Sequence, residues 1–195
     1  MSAHVSAQLG DLSQRLGARP RGEIALEGFS PAAVTLPLVA TPEGLAVLFT
    51  VRTAHVEQHK GEISFPGGRV DPNDEDTLAT ALREAREEVG VQPEDVAVLG
   101  VLDDFVSITG YRVTPHVVWL DRHDYPFEAE PREVAEILLV PLSHLLDPLH
   151  HHIEELPGHA RPLHFFRWGP YVIWGLTAAI LHRFLGIAFG FGEHP

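Results

Sequence analysis

Three glutamates, Glu84, Glu87 and Glu88, fall within the run Arg83-Glu84-Ala85-Arg86-Glu87-Glu88-Val89-Gly90. Clustered carboxylate oxygens are what the hard cations Mg²⁺ and Mn²⁺ prefer. On a helix turning about 100° per residue, the three share an arc of roughly 100°. At i, i+3 and i+4 they repel, by about 0.2–0.5 kcal/mol for each exposed pair, and a bound divalent cation reverses that sign. The residues alone leave two readings open, a solvated acidic face or a cation platform.

A second group precedes the first. Arg52, His55, His59, Lys60 and Arg69 concentrate positive charge just before the acidic run, and Gly67-Gly68 lies among them. Taken alone this is a solvated loop; set beside the carboxylates it becomes a candidate anion site. The paired glycines allow a sharp turn or a close approach of backbone to a ligand. Farther on, His150-His151-His152 has the composition of a metal site. Beside Glu154-Glu155 it reads instead as a solvated, loop-bound connector.

The elements that must position these groups follow from periodicity. Leu78, Ala81, Leu82, Ala85 and Val89 make one apolar helical face, with the glutamates turned away from it. Gly90 is the expected stop, and the Asp-rich stretch before Thr77 supplies capping. Residues 33–40 and 45–51 are apolar runs that read as a hairpin, with Pro37 implying an edge or a bulge. Residues 96–106 and 112–120 read as strands around the turn at 107–110, the second bulged or peripheral because of Pro115. Residues 121–132 form a polar loop, 134–140 a strand, and Pro141 opens a short helix. Residues 162–168 are one more strand, and 171–185 read as an apolar closing helix, either core or a dimer face. Val5, Leu9, Leu12 and Leu16 have the spacing of an N-terminal amphipathic helix. The expected organisation is a helical extension over residues 1–30 and a single domain over 31–195, an α/β sheet covered on both faces.

Composition removes several alternatives. The 195-residue chain carries a formal net charge of −13, which argues against a nucleic-acid surface. It contains no cysteine, which excludes disulfides, thiolate zinc sites and cysteine nucleophiles. No basic segment followed by an apolar run opens the chain, and the apolar run at 171–181 is too short for a bilayer. A cytoplasmic protein with no membrane partner is expected.

The central stretch resembles the Nudix box: Gly, five residues, Glu, seven residues, then Arg-Glu-aliphatic-x-Glu-Glu-x-Gly-aliphatic. Glu75 stands eight residues before Arg83, and residues 83–91 fill the remainder. Gly68 lies seven residues before Glu75, one more than the general pattern, which leaves Asp74 and Glu75 as rival loop acids. The preceding LFTVRTAHVEQHKGEISFPGGRVDPND is similar to the signature of the coenzyme A pyrophosphatase branch, where the longer spacing recurs. Trp174-Gly175-Leu176-Thr177-Ala178 is similar to that branch's closing helix.

The resemblance implies a Nudix α/β/α sandwich with a mixed β-sheet and a loop-helix-loop catalytic motif. It implies hydrolysis of coenzyme A, dependent on Mg²⁺ or Mn²⁺, to 4′-phosphopantetheine and 3′,5′-adenosine bisphosphate. Glu84, Glu87 and Glu88 become the metal ligands, and Arg83 a bidentate partner that orients them. Candidates for the general base are Glu133 or Glu136, from outside the helix, with Glu87 or a metal-bound hydroxide as alternatives. Arg52, His59, Lys60, Gly67, Gly68 and Arg69 become the substrate-binding set. Competing expectations are a Nudix pyrophosphatase of ADP-ribose or a dinucleotide, and a non-catalytic nucleotide-binding regulator.

Overall fold

The computed structural model describes residues 3–53, 61–122, 124–155 and 162–192. In chain order the elements are α1 (Ala3–Gly17), β1 (Ser30–Thr41), β2 (Gly44–Arg52), β3 (Ile63–Ser64), β4 (Gly67–Arg69) and α2 (Thr77–Val89). There follow β5 (Val96–Val101), β6 (Phe105–Val106), β7 (Tyr111–Leu120), β8 (Val134–Pro141) and α3 (Leu142–Leu145). The chain closes with β9 (His151–Glu154), β10 (Leu163–Trp168), β11 (Tyr171–Ile173) and α4 (Gly175–Phe189).

Strands β1 to β8 form one mixed sheet around β1 and β2, which are the predicted hairpin, closed at Thr41↔Gly44. One edge of β1 is taken by β7, parallel from Ser30↔Tyr111 to Val39↔Leu120. One edge of β2 is taken by β8, antiparallel from Ala46 to Arg52. Between them, β1 and β2 pair only near the hairpin and then part. The fork so opened is filled by β3, which pairs with Thr50 and Val51 of β2, and by β4, which pairs with residues 32–34 of β1. At the mouth of the fork, Arg52 N donates to Glu62 O at 3.0 Å and Gly61 N to Arg52 O at 3.1 Å, making a narrow neck.

The fork explains why two prolines sit in long interior strands, where an edge or a bulge was expected. Thr35 N donates to Pro66 O, so alternation aims the donor missing from Pro37 at the same side. There the β4 pairs have ended at Val34 and the β2 pairs begin at Leu38. Pro115 repeats the device on β7, between β6 pairs ending at Val113 and β5 pairs beginning at His116. A missing donor costs little where one partner strand stops before the next begins.

Helices cover both faces of the sheet. Ala85 and Val89 of α2 pack on Val39, Leu48 and Leu120. On the other face, Leu9, Leu12 and Leu16 of α1 share a core with Leu36, Leu38, Val47, Phe49 and with Ile180, Leu181, Phe184 and Leu185 of α4. The architecture is the α/β/α sandwich with a mixed sheet. Residues 96–106 are not one strand, because the break between β5 and β6 turns Asp103 to Arg19 (2.5 Å) and Asp104 to Arg21 (2.6 Å), fastening the N-terminal segment.

Two further expectations are corrected. The closing helix starts at Gly175, not at Tyr171, because Tyr171–Ile173 is spent as a strand against β10 and Gly175 adopts φ 63° at the junction. His151–Glu154 is likewise no loop; it is the outer strand of a second sheet, β9–β10–β11. No described helix is long and apolar enough to cross a membrane.

Candidate active site

Helix α2 is fixed at both ends before any function is considered. Asp76 caps it by accepting from Ala79 N at 2.8 Å, and Gly90, at φ 74°, donates to Arg86 O while Val91 N returns to Ala85 O. Across its exposed flank lies β4, held down in the fork. A side chain at Gly67 would overlap Ala33 and Val34 of β1, and one at Gly68 would overlap the Glu84 carboxylate. The paired glycines therefore serve a close approach of backbone to strand and to carboxylate.

That approach buries Glu88. The residue is 4% exposed, its carboxylate accepts a hydrogen bond from the Gly67 backbone, and its Oε2 has no hydrogen-bond partner among the described residues. The expectation of a glutamate arc turned away from the core thus fails at Glu88, which borders the apolar stripe beside Ala85 and Val89. Burial pushes its carboxyl up to about 8; the nearby Arg52 charge opposes that rise, and Glu84 and Glu133 add to it. Glu84 is raised as well, first by burial, with Arg83 opposing.

Arg83 organises the rest. Its Nε and Nη2 form a fork on Asp74, at 3.1 and 3.0 Å, while Nη1 reaches Glu84 Oε1 at 2.7 Å and Glu87 Oε2 at 3.2 Å. The Arg83 pair holds the Asp74 carboxyl well below the usual carboxylate range, helped by Asp71 N and Thr80 Oγ1. Of the rival loop acids, Asp74 is the one joined to this network; Glu75 is exposed.

The structure separates the expected site residues into groups. Glu84, Glu88, Arg83, Arg52, Gly67 and Gly68 come together, and Glu133 joins them, since its charge acts on both Glu84 and Glu88. Glu87 stands at the exposed rim. Glu136 is not brought in, because its carboxylate accepts the Tyr171 hydroxyl hydrogen bond. Arg69 contributes its carbonyl, which accepts from Arg83 Nη2 at 3.1 Å, while the residue itself is exposed. His59 and Lys60 lie outside the described residues, as does His55. Asp74 as the anchor of Arg83 was legible only as one of two alternatives, and the Arg83 fork decides between them.

The donors present fit a hard divalent cation. A buried carboxylate with an orphaned oxygen, surrounded by two more carboxylates, is costly unless protonated or neutralised by a cation. Glu84, Glu87 and Glu88 are not drawn into one tight three-oxygen set, since Arg83 occupies Glu84 and Glu87.

Comparison with known proteins agrees with this geometry. The NUDIX domain family model matches residues 30–163. A protein named "Uncharacterized Nudix hydrolase NudL" from Cronobacter sakazakii is 41% identical over 168 residues, 84% of this chain and 84% of its own. Its namesake from Photorhabdus laumondii is 41% identical over 154 residues, 78% of this chain and 81% of its own. Among solved structures, a C. elegans Ap4A hydrolase binary complex aligns with TM-score 0.50 at 19% identity, covering 59% of this chain and 83% of that one, a likeness of fold alone.

Proposed function

The chain belongs to the NUDIX domain family, and from that premise we propose that it hydrolyses the pyrophosphate bond of coenzyme A in the cytoplasm, using Mg²⁺ or Mn²⁺. The products are 4′-phosphopantetheine and 3′,5′-adenosine bisphosphate. The protein is a Nudix hydrolase, a class acting on small nucleotide derivatives. The observation that carries the catalytic reading is Glu88, a buried carboxylate with an oxygen that has no partner among the described residues. The choice of coenzyme A rests on the residues upstream of α2, from Arg52 to Gly68.

Glu88 and Glu84 would hold the cation from α2, with Glu87 at the rim. A divalent cation bound there supplies charge that polarises the pyrophosphate and acidifies the attacking water. Arg83, anchored on Asp74, fixes the reach of Glu84 and Glu87. Glu133 accepts the proton of the water as its oxygen bonds to phosphorus and the bridging P–O bond breaks. Arg52, with His59, Lys60 and Arg69, receives the substrate phosphates.

The deciding experiment incubates purified protein with coenzyme A, acyl-coenzyme A, ADP-ribose and a dinucleoside polyphosphate, with Mg²⁺ or Mn²⁺, and reads product masses. Masses of 4′-phosphopantetheine and adenosine bisphosphate are expected. Turnover confined to ADP-ribose or the dinucleotide overturns the choice of substrate. Nucleotide binding without turnover of any compound identifies a regulator instead.

A further inference from the structure

Far from the glutamates, three histidines converge. His151 on β9 and His164 on β10 are diagonal neighbours on one face of the second sheet, because His151 pairs with Phe166 and His164 with Ile153. Phe166, fully buried in the core shared with α4, shows which face that is. His182 of α4 stacks on His164 with ring centroids 3.8 Å apart. His151 Nε2 lies 3.0 Å from His164 Nδ1, and one ligand nitrogen from each of the three rings falls within 4.8 Å of the others. Among the described residues this is the one such group of three metal-ligating side chains.

We propose that His151, His164 and His182 form a binding site for a borderline transition-metal cation, Zn²⁺ first among them, separate from the carboxylate centre. Two nitrogens about 2.0–2.1 Å from a tetrahedral Zn²⁺ lie about 3.3 Å apart, close to the spacing already held by His151 and His164. Imidazole nitrogen selects Zn²⁺, Ni²⁺ or Cu²⁺ over Mg²⁺, which takes oxygen. Burial, with help from neighbouring rings, holds His151 and His164 down to about 4, so both rings are neutral at neutral pH, each with one lone-pair nitrogen. The hydrogen bond between His151 Nε2 and His164 Nδ1 puts a proton on one of the two, and a tautomer change frees it for a cation. Phe166 and Phe191 back the His151 ring at 4.5 and 5.3 Å.

Access is open on the α4 side. A cleft of about 170 Å³ runs past His182, Gly186, Ile187, Phe191 and Gly192. Gly192 has φ 79°, and any side chain there would stand 2.8 Å from His182 Nε2. The glycine thus keeps that nitrogen clear of a Cβ. Arg183 also borders the cleft, but its Nε and Nη2 are tied to Asp103 at 2.9 Å.

The test is equilibrium dialysis of untagged full-length protein against Zn²⁺ alone, with metal content measured. One tightly held Zn²⁺ per chain is expected, retained by Glu88→Gln and His152→Gln and lost by His164→Gln and His182→Gln. Co²⁺ should give intense tetrahedral visible absorption in the wild type. Zn²⁺ should also shift three imidazole ¹⁵N resonances there, a readout independent of how the variants fold. No uptake by the wild type, unshifted imidazole resonances, or unchanged uptake by both histidine variants overturns the site and leaves a purely structural ring stack.

Discussion

The glutamates of α2 and the histidines beside α4 are both side-chain clusters between a helix and a sheet, yet they are stabilised in opposite ways. Glu84 and Glu88 are acids that burial pushes toward neutrality, beside Glu133, and Arg83 and Arg52 partly offset their charge. His151, His164 and His182 are bases that burial also keeps neutral, with no opposing ion pair between them. One cluster therefore carries an electrostatic cost that a hard cation would relieve, while the other is neutral and carries no such cost. Donor type, not clustering, would separate their ligands.

The sharpest way to break this comparison is Glu88→Gln. Glutamine retains an acceptor for Gly67 N–H and removes the charge, so turnover should fall by about 10³-fold under saturating Mg²⁺. Steady-state hydrolysis near the wild-type rate would remove Glu88 from the metal set. Next in size, Glu133→Gln should lower kcat by about 10²-fold, while Glu136→Gln, at the residue engaged by Tyr171, should change it by less than about twofold. Equal losses in the two variants would mean that Glu133 is not the base.

The smallest expected effect concerns His116, a buried imidazole with no second histidine in the metal grouping. Burial holds it at about 4, against 6.5 for the exposed ring; Arg21 lowers it further, while Asp76 and Asp104 oppose. Below about pH 6.5 the unfolded chain takes up a proton that folded His116 refuses. Its contribution is therefore full above that pH and is lost as pH falls toward 4, on the order of 2–3 kcal/mol. His116→Gln should flatten the acid limb of a urea-midpoint profile by that amount. An unchanged limb would assign the acid sensitivity to the half-buried histidines His151, His164 and His182.

The spacing of Leu78, Ala81, Ala85 and Val89 and the stop at Gly90 were readable because a helix is local. So were the hairpin and the strand at 134–140. Burial of Glu88 was not readable, because it depends on β4 crossing α2, a contact set by the parting of β1 and β2. The choice of Glu133 over Glu136 needed the neighbours of each: Glu84 and Glu88 for one, Tyr171 for the other. The histidine triplet misled for a similar reason. Strand alternation sends His151 inward alone, toward His164 and His182, partners that only antiparallel pairing and helix packing supply.

The neck at Arg52 and Gly61 has a consequence for how specificity can diversify. Two backbone hydrogen bonds close the connection between β2 and β3, so its length is uncoupled from the fork beyond. Loop-closure entropy grows only logarithmically, about 0.6 kcal/mol for each doubling of a flexible loop. Insertions between Arg52 and Gly61 can therefore be absorbed while Gly67 and Gly68 keep their close approach to β1 and Glu84. The neck lets the connection lengthen at a small entropic cost, whereas the Gly67-Gly68 pair tolerates no added side chain.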